Sequence, residues 1–596
     1  MKLFKQNSWA MNVPPLLVLF LVVLARGYPA LTPGFTFSAP SGDGLSTMAW
    51  MNEIIQTYKN FGLAQVMTPI DLIVPTGSGG GLTTPNTFYH FWKLLFIGLE
   101  PFLSLDNIYD LILLTGIFLT GLMAYFLGLS FSMSRPAALL TALFTISLEN
   151  IDRRLVGHMF LAFWFAPLLI VYLVKSYVEK PKYLTSCFLS LAVVVSFIQS
   201  EYYTYFGGIF ACALGLSLVY GHWEEAKKSI SSLNNFKDQF HLKKIAPQIL
   251  LGLICLVTLM LLLFPSLIQP YDKNITFKSR GLSEFNLYSL RNPASLFAPG
   301  IELLRDWIPY HRLGVKGEMT FRLGIFFWGG LAYLLKSSWS SLTSLEKRSI
   351  KALTVAGIVC LLFAFTPGSF PWFSKLTFHF FPMFRVGVRS ILFTDMAAIL
   401  VFGIVIHSVF RQSLKKNIII PIFLTFLAFW DVQNPYRGLL GTYQTYPLPQ
   451  TYPTLETLKA SKPGWVLEIP MWNNKDVFEL DSDQNYRRIQ HDKFLVNIVR
   501  GHSNSPFTLK LNALTEITNG LDSPLIEFAQ KVGVNYLLVE SYMDTDGLLP
   551  FLESGELTLL QEDERFVLYG FNHLKSFSKE NYMAYLDTLE KDPLVK

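Results

Sequence analysis

Runs of apolar residues dominate this chain, and many approach the roughly 20 residues needed to cross a bilayer. The first lies at 11–28, and others fall at 107–128, 137–149, 159–174, 183–199, 203–220, 245–268, 321–336, 351–366, 389–410 and 417–431. Inside a bilayer such runs have to be helical, because only a helix satisfies its own backbone groups without water. The pattern predicts an α-helical polytopic membrane protein with about eleven transmembrane helices. Lys2 and Lys5 ahead of the first run resemble a signal peptide. Ala25-Arg26-Gly27-Tyr28 offers no convincing cleavage site and more runs follow, so the first run is expected to remain as a helix.

Between the first two runs, residues 29–105 form a long outer loop carrying Asp43, Glu53 and Asp71. Within it Thr47 to Tyr58 fits a short amphipathic helix lying along the membrane surface. Residues 75–81 are a flexible Gly/Ser run, and the interrupted apolar stretch 86–99 fits a re-entrant or interfacial helix. A second long outer loop spans 269–320, and Asn274-Ile-Thr276 there is a sequon. From Asp431 onward polar residues return. Trp465–Ile469, Asn535–Val539 and Arg565–Tyr569 read as strands, and Pro524–Lys531 before Gly533 reads as a helix. The expected division is a transmembrane domain over 1–431 and an extracytoplasmic α/β domain over 432–596.

Composition agrees with the runs: 51% of the 596 residues are hydrophobic and 15% are charged, where a soluble protein carries about 25% charged. The net charge of +6 does not point to nucleic acid. Its basic residues sit in alternate short loops, at Arg135, Lys175, Lys180, Lys182, Lys227, Lys228, Lys243, Lys244, Lys336, Lys347, Arg348, Arg411, Lys415 and Lys416. That register places those loops, and the amino terminus, on the inner face of the cytoplasmic membrane. An odd number of spans then puts the tail outside. The four cysteines, Cys187, Cys212, Cys255 and Cys360, lie in apolar runs and read as small buried hydrophobes without metal or disulfide spacing.

Sorting polar residues by side leaves an unusual set on the outer face: Asp43 and Asp71, then Glu149, Asp152, Arg153, Arg154 and His158, then Glu201 with Tyr202 and Tyr203, then Arg385 and Arg389. Ionisable groups near span ends are costly and are functional candidates. Carboxylates with arginines suit group transfer from a phosphate-bearing donor. One carboxylate deprotonates an acceptor hydroxyl, others hold Mg²⁺ or Mn²⁺, and arginines bind the phosphate leaving group. Asp43 stands out because Gly42 and Gly44 flank it in a turn open to a ligand. The plainer alternatives are a local ion pair at Asp152, a structural hydrogen bond at His158, an interfacial anchor at Glu201–Tyr203 and a capped turn at Asp71 or Asp43. Walker A, Rossmann, HExxH and GxSxG patterns are missing from the sequence, which favours a donor supplied within the membrane.

Ser41-Gly42-Asp43-Gly44, the segment Asp152-Arg-Arg-Leu-Val-Gly-His158, Glu201-Tyr-Tyr203 and Phe384-Arg-Val-Gly-Val-Arg389 together resemble the GT-C-type multispanning membrane glycosyltransferases, in their YfhO-like bacterial branch. Val466-Leu-Glu-Ile-Pro470, His491-Asp-Lys and Gly533–Val539 extend the resemblance into the tail. It implies a GT-C-like fold and transfer of a sugar from a polyprenyl-phosphate carrier to an outer-face polymer or glycolipid. It also implies Asp43 as base or metal ligand, with Glu149 or Asp152 as the second acidic group. Arg385 and Arg389 become donor-phosphate ligands, with His158, Arg153 and Glu201 in the substrate set. No tight Asp-x-Asp or Glu-x-Asp pair occurs, which departs from the pattern and leaves metal dependence open. The rival readings are a glycan or lipid transporter, or an export scaffold without catalysis. A polymerase or ligase using lipid-diphosphate donors is a third. Transporters place ionisable groups along a midplane pathway, whereas these gather at one surface.

Overall fold

In the computed structural model each of the eleven apolar runs contains a helix. The structure describes residues 11–37, 43–67, 90–148, 151, 154–155, 161–263, 323–365, 387–413, 419–432, 442–443, 445–448, 451–470, 490–491, 493–495, 520–572, 576, 578, 581 and 584–585. Helix α1 (Val13–Gly27) precedes α2 (Asp43–Met67) and α3 (His90–Leu99) of the expected outer loop. Next come α4 (Leu105–Ser130), α5 (Arg135–Ile146), α6 (Phe165–Glu179), α7 (Tyr183–Gln199) and α8 (Glu201–Ala226). A polar helix α9 (Ile230–Gln239) leads into α10 (Leu242–Leu263), and α11 (Ile325–Ser338), α12 (Ser344–Ala364), α13 (Ile391–Ser413) and α14 (Ile419–Val432) follow.

Among the described residues five stretches are long and apolar enough to cross a membrane: Val13–Leu31, Leu105–Ser130, Tyr202–Ala226, Ile230–Leu259 and Ile391–Arg411. The other expected spans are shorter or more charged. Helix α5 has 12 residues, a rise of only about 18 Å at ~1.5 Å per residue. Helix α12 opens with Glu346, Lys347 and Arg348 in its first turns.

The chain divides into two compact units, one of Met1–Thr32, Leu111–Leu263 and Arg280–Gln444, the other of Pro33–Asp110, Phe264–Ser279 and Thr445–Lys596. In the first, α8 packs on α6 and α12, α12 on α13, α13 on α5 and α11, and α11 on α14. Phe144, Phe327 and Phe402 form its aromatic centre, with ring centroids 5.1–5.7 Å apart. Helix α10 touches α7 through small residues. Ser186 and Ser190 hydroxyls donate to the carbonyls of Gln248 and Gly252 (2.7 and 2.6 Å), the close approach that small residues allow between helices in lipid. The outward side of α10 is apolar, with Leu250, Leu253, Ile254 and Val257 all exposed. Of the four cysteines only Cys360 is buried, and Cys212 is exposed. The reading of all four as buried fails because an apolar helix need not turn each apolar residue inward.

Charged residues collect at one end of this bundle. Asn12 Oδ1 accepts from Tyr125 and from Arg135 Nε, each at 2.9 Å. Arg411 forks onto Glu346 (3.1 and 3.2 Å). Arg348 meets Glu225 at 2.7 Å and His222 at 3.1 Å, and Lys175 Nζ donates to the Ser130 carbonyl at 2.6 Å. Arg411, Arg348 and Lys175, which belong to loops expected to be basic, are therefore held by acids and a carbonyl. At the other end Arg26 donates to the Ile146 carbonyl (3.1 Å) and Ser147 Oγ (2.8 Å), closing the exposed carbonyl end of α5. Asp431, in the last turn of α14, accepts from the Phe326 N–H (2.6 Å) and so caps α11.

In the second unit, β1 (Phe35–Thr36) pairs antiparallel with β2 (Tyr446–Pro447). The tail begins with α15 (Pro453–Ala460) and β3 (Trp465–Ile469), then β4 (Phe494–Leu495), α16 (Ser523–Val532) and β5 (Tyr536–Glu540). It ends in α17 (Leu549–Glu553), β6 (Leu557–Glu562) and β7 (Phe566–Phe571). The sheet order is β4-β3-β5-β7-β6, with β3 parallel to β4 and β5, and β7 antiparallel to its neighbours. The three predicted strands and the predicted helix are β3, β5, β7 and α16. Gly533 ends α16 in the left-handed region at φ 88°, where glycine carries no Cβ penalty.

Two outcomes follow from this packing. Gly324 has φ +79°, and a Cβ there would lie 2.2 Å from Asp431 Cγ. Gly324→Ala should destabilise the bundle by about 1–3 kcal/mol, read as a lower unfolding midpoint of the purified protein; an unchanged midpoint would refute this account of the cap. In the tail, burial alone would raise the Asp563 carboxyl, but hydrogen bonds from Thr454, Arg565 and Phe566 hold it below its ordinary value. A depressed acid stabilises above the unfolded pKa of about 3.9 and loses that contribution as pH falls through the folded value. Asp563→Asn should thus lower the midpoint at about pH 6 and much less at about pH 3; an equal deficit at both would contradict the linkage.

Candidate functional site at one end of the helical bundle

The end of the bundle opposite the ion pairs is built from three chain turns. Ahead of α6, Trp164 N–H donates to Thr120 Oγ1 at 3.0 Å. Gln199, the last residue of α7, bridges to the same turn by donating to the Phe163 carbonyl and accepting from Ala166 N–H (3.1 Å). Ser200 caps α8, so that Glu201, Tyr202 and Tyr203 form its first turn. Tyr203 is fully buried, and its hydroxyl donates to the Leu161 carbonyl at 2.9 Å. Its ring meets Trp164 and Phe393 edge-on, at 6.3 and 6.4 Å between centroids. Tyr203 thus locks α8 to the turn before α6.

The third turn, Gly387–Ser390, precedes α13. Ser390 Oγ lies 2.8 Å from both the Cys360 and Gly387 carbonyls and ties this turn to the last turns of α12. Arg389 is 6% exposed, and its guanidinium carbon stands 4.4 Å from the centre of the Tyr202 ring. A planar cation over an aromatic face is held in orientation by it. Arg389 and the Glu201–Tyr203 turn, grouped from sequence, are thus brought together.

Asp43 is the first residue of α2, and Gly44 the second. The expected Gly-Asp-Gly turn is the start of a helix, a place where an acidic residue complements the helix dipole. Helix α2 outruns the expected Thr47–Tyr58 segment and is interrupted at Gly62, φ 80°. Its buried residues, Met48, Met51, Ile54 and Ile55, recur at helical spacing. Arg154 is buried. Asp71, Glu149, Asp152, Arg153, His158 and Arg385 lie outside the described residues. Among the described residues no group of three or more His, Cys, Asp or Glu side chains could hold a metal ion. The expected set of Asp43, Glu149 and Asp152 is represented there by the backbone of Asp43 alone.

Sequence reasoning passed over acids lying inside apolar runs. Asp110, in the second turn of α4, is fully buried; its Oδ1 accepts from Thr36 Oγ1 and Phe37 N–H, each at 3.0 Å. It pins the β1 segment that leads toward α2. Asp395 is 2% exposed in the second turn of α13. The available signal was a lone carboxylate in an apolar span, which is costly without a purpose. Asp110→Ala should lower the unfolding midpoint and increase proteolysis of the segment around Thr36, a loss of about 1–3 kcal/mol. Asp110→Asn should recover part of it, since the amide carbonyl still accepts. Equal behaviour of Ala and Asn would refute the role of Oδ1.

No family model and no curated protein matches the chain. Solved structures resemble it at low identity. The Archaeoglobus fulgidus oligosaccharyltransferase in the apo form is 12% identical, with 90% of this chain and 70% of that chain covered and a TM-score of 0.44. The arabinofuranosyltransferase AftD from Mycobacteria is 11% identical, covering 94% of this chain and 41% of that chain at a TM-score of 0.44. ArnT from Cupriavidus metallidurans, bound to undecaprenyl phosphate, is 11% identical, covering 95% and 98% at a TM-score of 0.42.

Proposed function

We propose that this chain is a membrane glycosyltransferase of the GT-C type, YfhO-like branch, that moves a sugar from a polyprenyl-phosphate donor to an outer-face polymer or glycolipid. The observation that carries the reading is Arg389, a buried guanidinium stacked on Tyr202 beside Glu201, at the bundle end away from the basic loops. A cation fixed there suits a donor phosphate presented from the bilayer, and the charge rule makes that end the outer one. Asp43 takes the proton of the acceptor hydroxyl. The hydroxyl oxygen bonds to the anomeric carbon, the bond from that carbon to the phosphate oxygen breaks, and its electron pair leaves on polyprenyl phosphate. Arg389, with Arg385, receives that charge. Asp152, Glu149, His158, Arg153 and Glu201 complete the proposed substrate set. Mg²⁺ or Mn²⁺, if used, would be held by Asp43, Glu149 and Asp152 and would screen the phosphate.

Asp43→Asn should abolish transfer of radiolabelled sugar from a synthetic polyprenyl-phosphate donor in membranes, with expression and unfolding midpoint unchanged; full activity would remove Asp43 as base. Arg389→Ala should raise the apparent KM for the donor or lower kcat by about tenfold or more. Unaltered donor kinetics would leave Arg389 a structural residue.

A further inference from the structure

Helices α7 and α10 start side by side and run the same way. The Ser186 and Ser190 hydroxyls meet the carbonyls of Gln248 and Gly252 in step, and Cys187 Sγ lies 3.8 Å from Cys255 Sγ. Lys182 stands directly before α7, while Lys243 and Lys244 fall in the first turn of α10. Helix α9 joins the group at its far end. Gln239 Nε2 donates to the Val178 and Glu179 carbonyls, each at 3.0 Å, and so seats the end of α9 against the end of α6, next to the turn that carries Lys180 and Lys182. Phe236 anchors α9 to the last turn of α8, 5.3 Å from Trp223 between ring centroids.

The lysines gathered here are not neutralised. Lys180, Lys182, Lys237 and Lys243 are exposed, and no hydrogen bond or ion pair holds their ammonium groups among the described residues. Lys244 Nζ donates to the Asp238 carbonyl at 3.2 Å. Four acids lie in segments 175–182 and 222–244. Glu179 receives Lys175, Glu224 receives Lys227 and Glu225 receives Arg348, which leaves Asp238. The amino-terminal ends of two parallel helices add further positive potential. One turn past Lys244, Gln248 is 8% exposed, and its buried Oε1 has no hydrogen-bond partner among the described residues. Helical side chains lean toward the amino terminus, so this amide leans back toward the lysines. A buried polar atom left unmatched is costly and calls for a partner.

Beyond the lysines both helices turn apolar residues outward, Leu184, Phe188 and Leu191 on α7 and Leu250, Leu253 and Ile254 on α10. A small soluble anion would use the lysines and leave these stripes bare. A molecule with an anionic head and hydrocarbon tails uses both. We infer that the start of α7 and α10 is a binding site for an anionic phospholipid of the leaflet at that end, the inner one by the charge rule. The phosphate sits among Lys182, Lys243 and Lys244, the acyl chains follow the two apolar stripes, and Gln248 bonds to the polar groups between head and chains. Helix α8 separates this site from the proposed donor site, since Tyr202 lies in its first turn and Trp223 in its last. The inference is therefore independent of the glycosyltransferase reading.

The test uses full-length protein in detergent micelles, with native mass spectrometry to count retained lipid. Phosphatidylglycerol and phosphatidylcholine with the same acyl chains are titrated in separately. The wild type should hold phosphatidylglycerol at least about tenfold more tightly. The triple variant Lys182→Gln, Lys243→Gln, Lys244→Gln should lose that preference, with an unfolding midpoint in phosphatidylcholine equal to that of the wild type. The matching triple change to Arg should keep it. Lys336→Gln with Lys351→Gln, which removes exposed charge from α11 and α12, should bind like the wild type. Excess glycerol phosphate, a head without chains, should displace no lipid. Equal retention of both lipids by the wild type would overturn the site, as would an undiminished preference in the Gln triple variant. So would loss of the preference in the Arg variant or in the α11–α12 variant, and displacement by glycerol phosphate would exclude a lipid as the occupant.

Discussion

A polar group that enters lipid has to find its partner within the protein, and that constraint orders the helical bundle. At one end Glu346, Glu225 and Glu179 receive Arg411, Arg348 and Lys175. These bases belong to the loops whose charge gave the expected sidedness. At the other end the polar groups serve helix termini. Arg26 closes the carbonyl end of α5, Asp431 caps α11, and Gln199 joins α7 to the turn before α6. With the termini satisfied, Arg389 is supported by the ring of Tyr202.

Hydropathy made the helices legible because backbone satisfaction in lipid leaves one solution per run. The basic loops were legible for the same reason, since the charge asymmetry of a membrane acts on short loops. Helix lengths were less so. Runs such as 137–149 were read as spans, yet α5 stops at Ile146, where Arg26 takes up the Ile146 carbonyl. The tail's strands were visible in Trp465–Ile469 and Asn535–Val539 as runs of β-forming residues, but their order was not. Strand order is decided by pairing across the chain rather than along it.

The candidate site was legible in part. Glu201–Tyr203 and Arg389 were singled out as charged or aromatic residues at span ends, and the structure joins them. The distinct roles of Tyr202 and Tyr203 depend on the 100° step between adjacent helical residues, which sends one ring under Arg389 and the other into the core. Asp43 was read as a turn because glycines flank it, whereas Met48, Met51, Ile54 and Ile55 bury one side of a helix that begins with it. Asp110 and Asp395 escaped notice because each lies within an apolar run and was counted as part of a span.

The proposed reaction makes a glycosidic bond at one face of the membrane. Its most direct measurement is a product assay with purified protein in proteoliposomes carrying a polyprenyl-phosphate sugar and an acceptor glycan on the outer side. The account predicts a lengthened glycan and an equal amount of free polyprenyl phosphate, both on that side. Lipid-linked sugar that crosses the bilayer with its phosphate bond intact, and no new glycosidic bond, would contradict it.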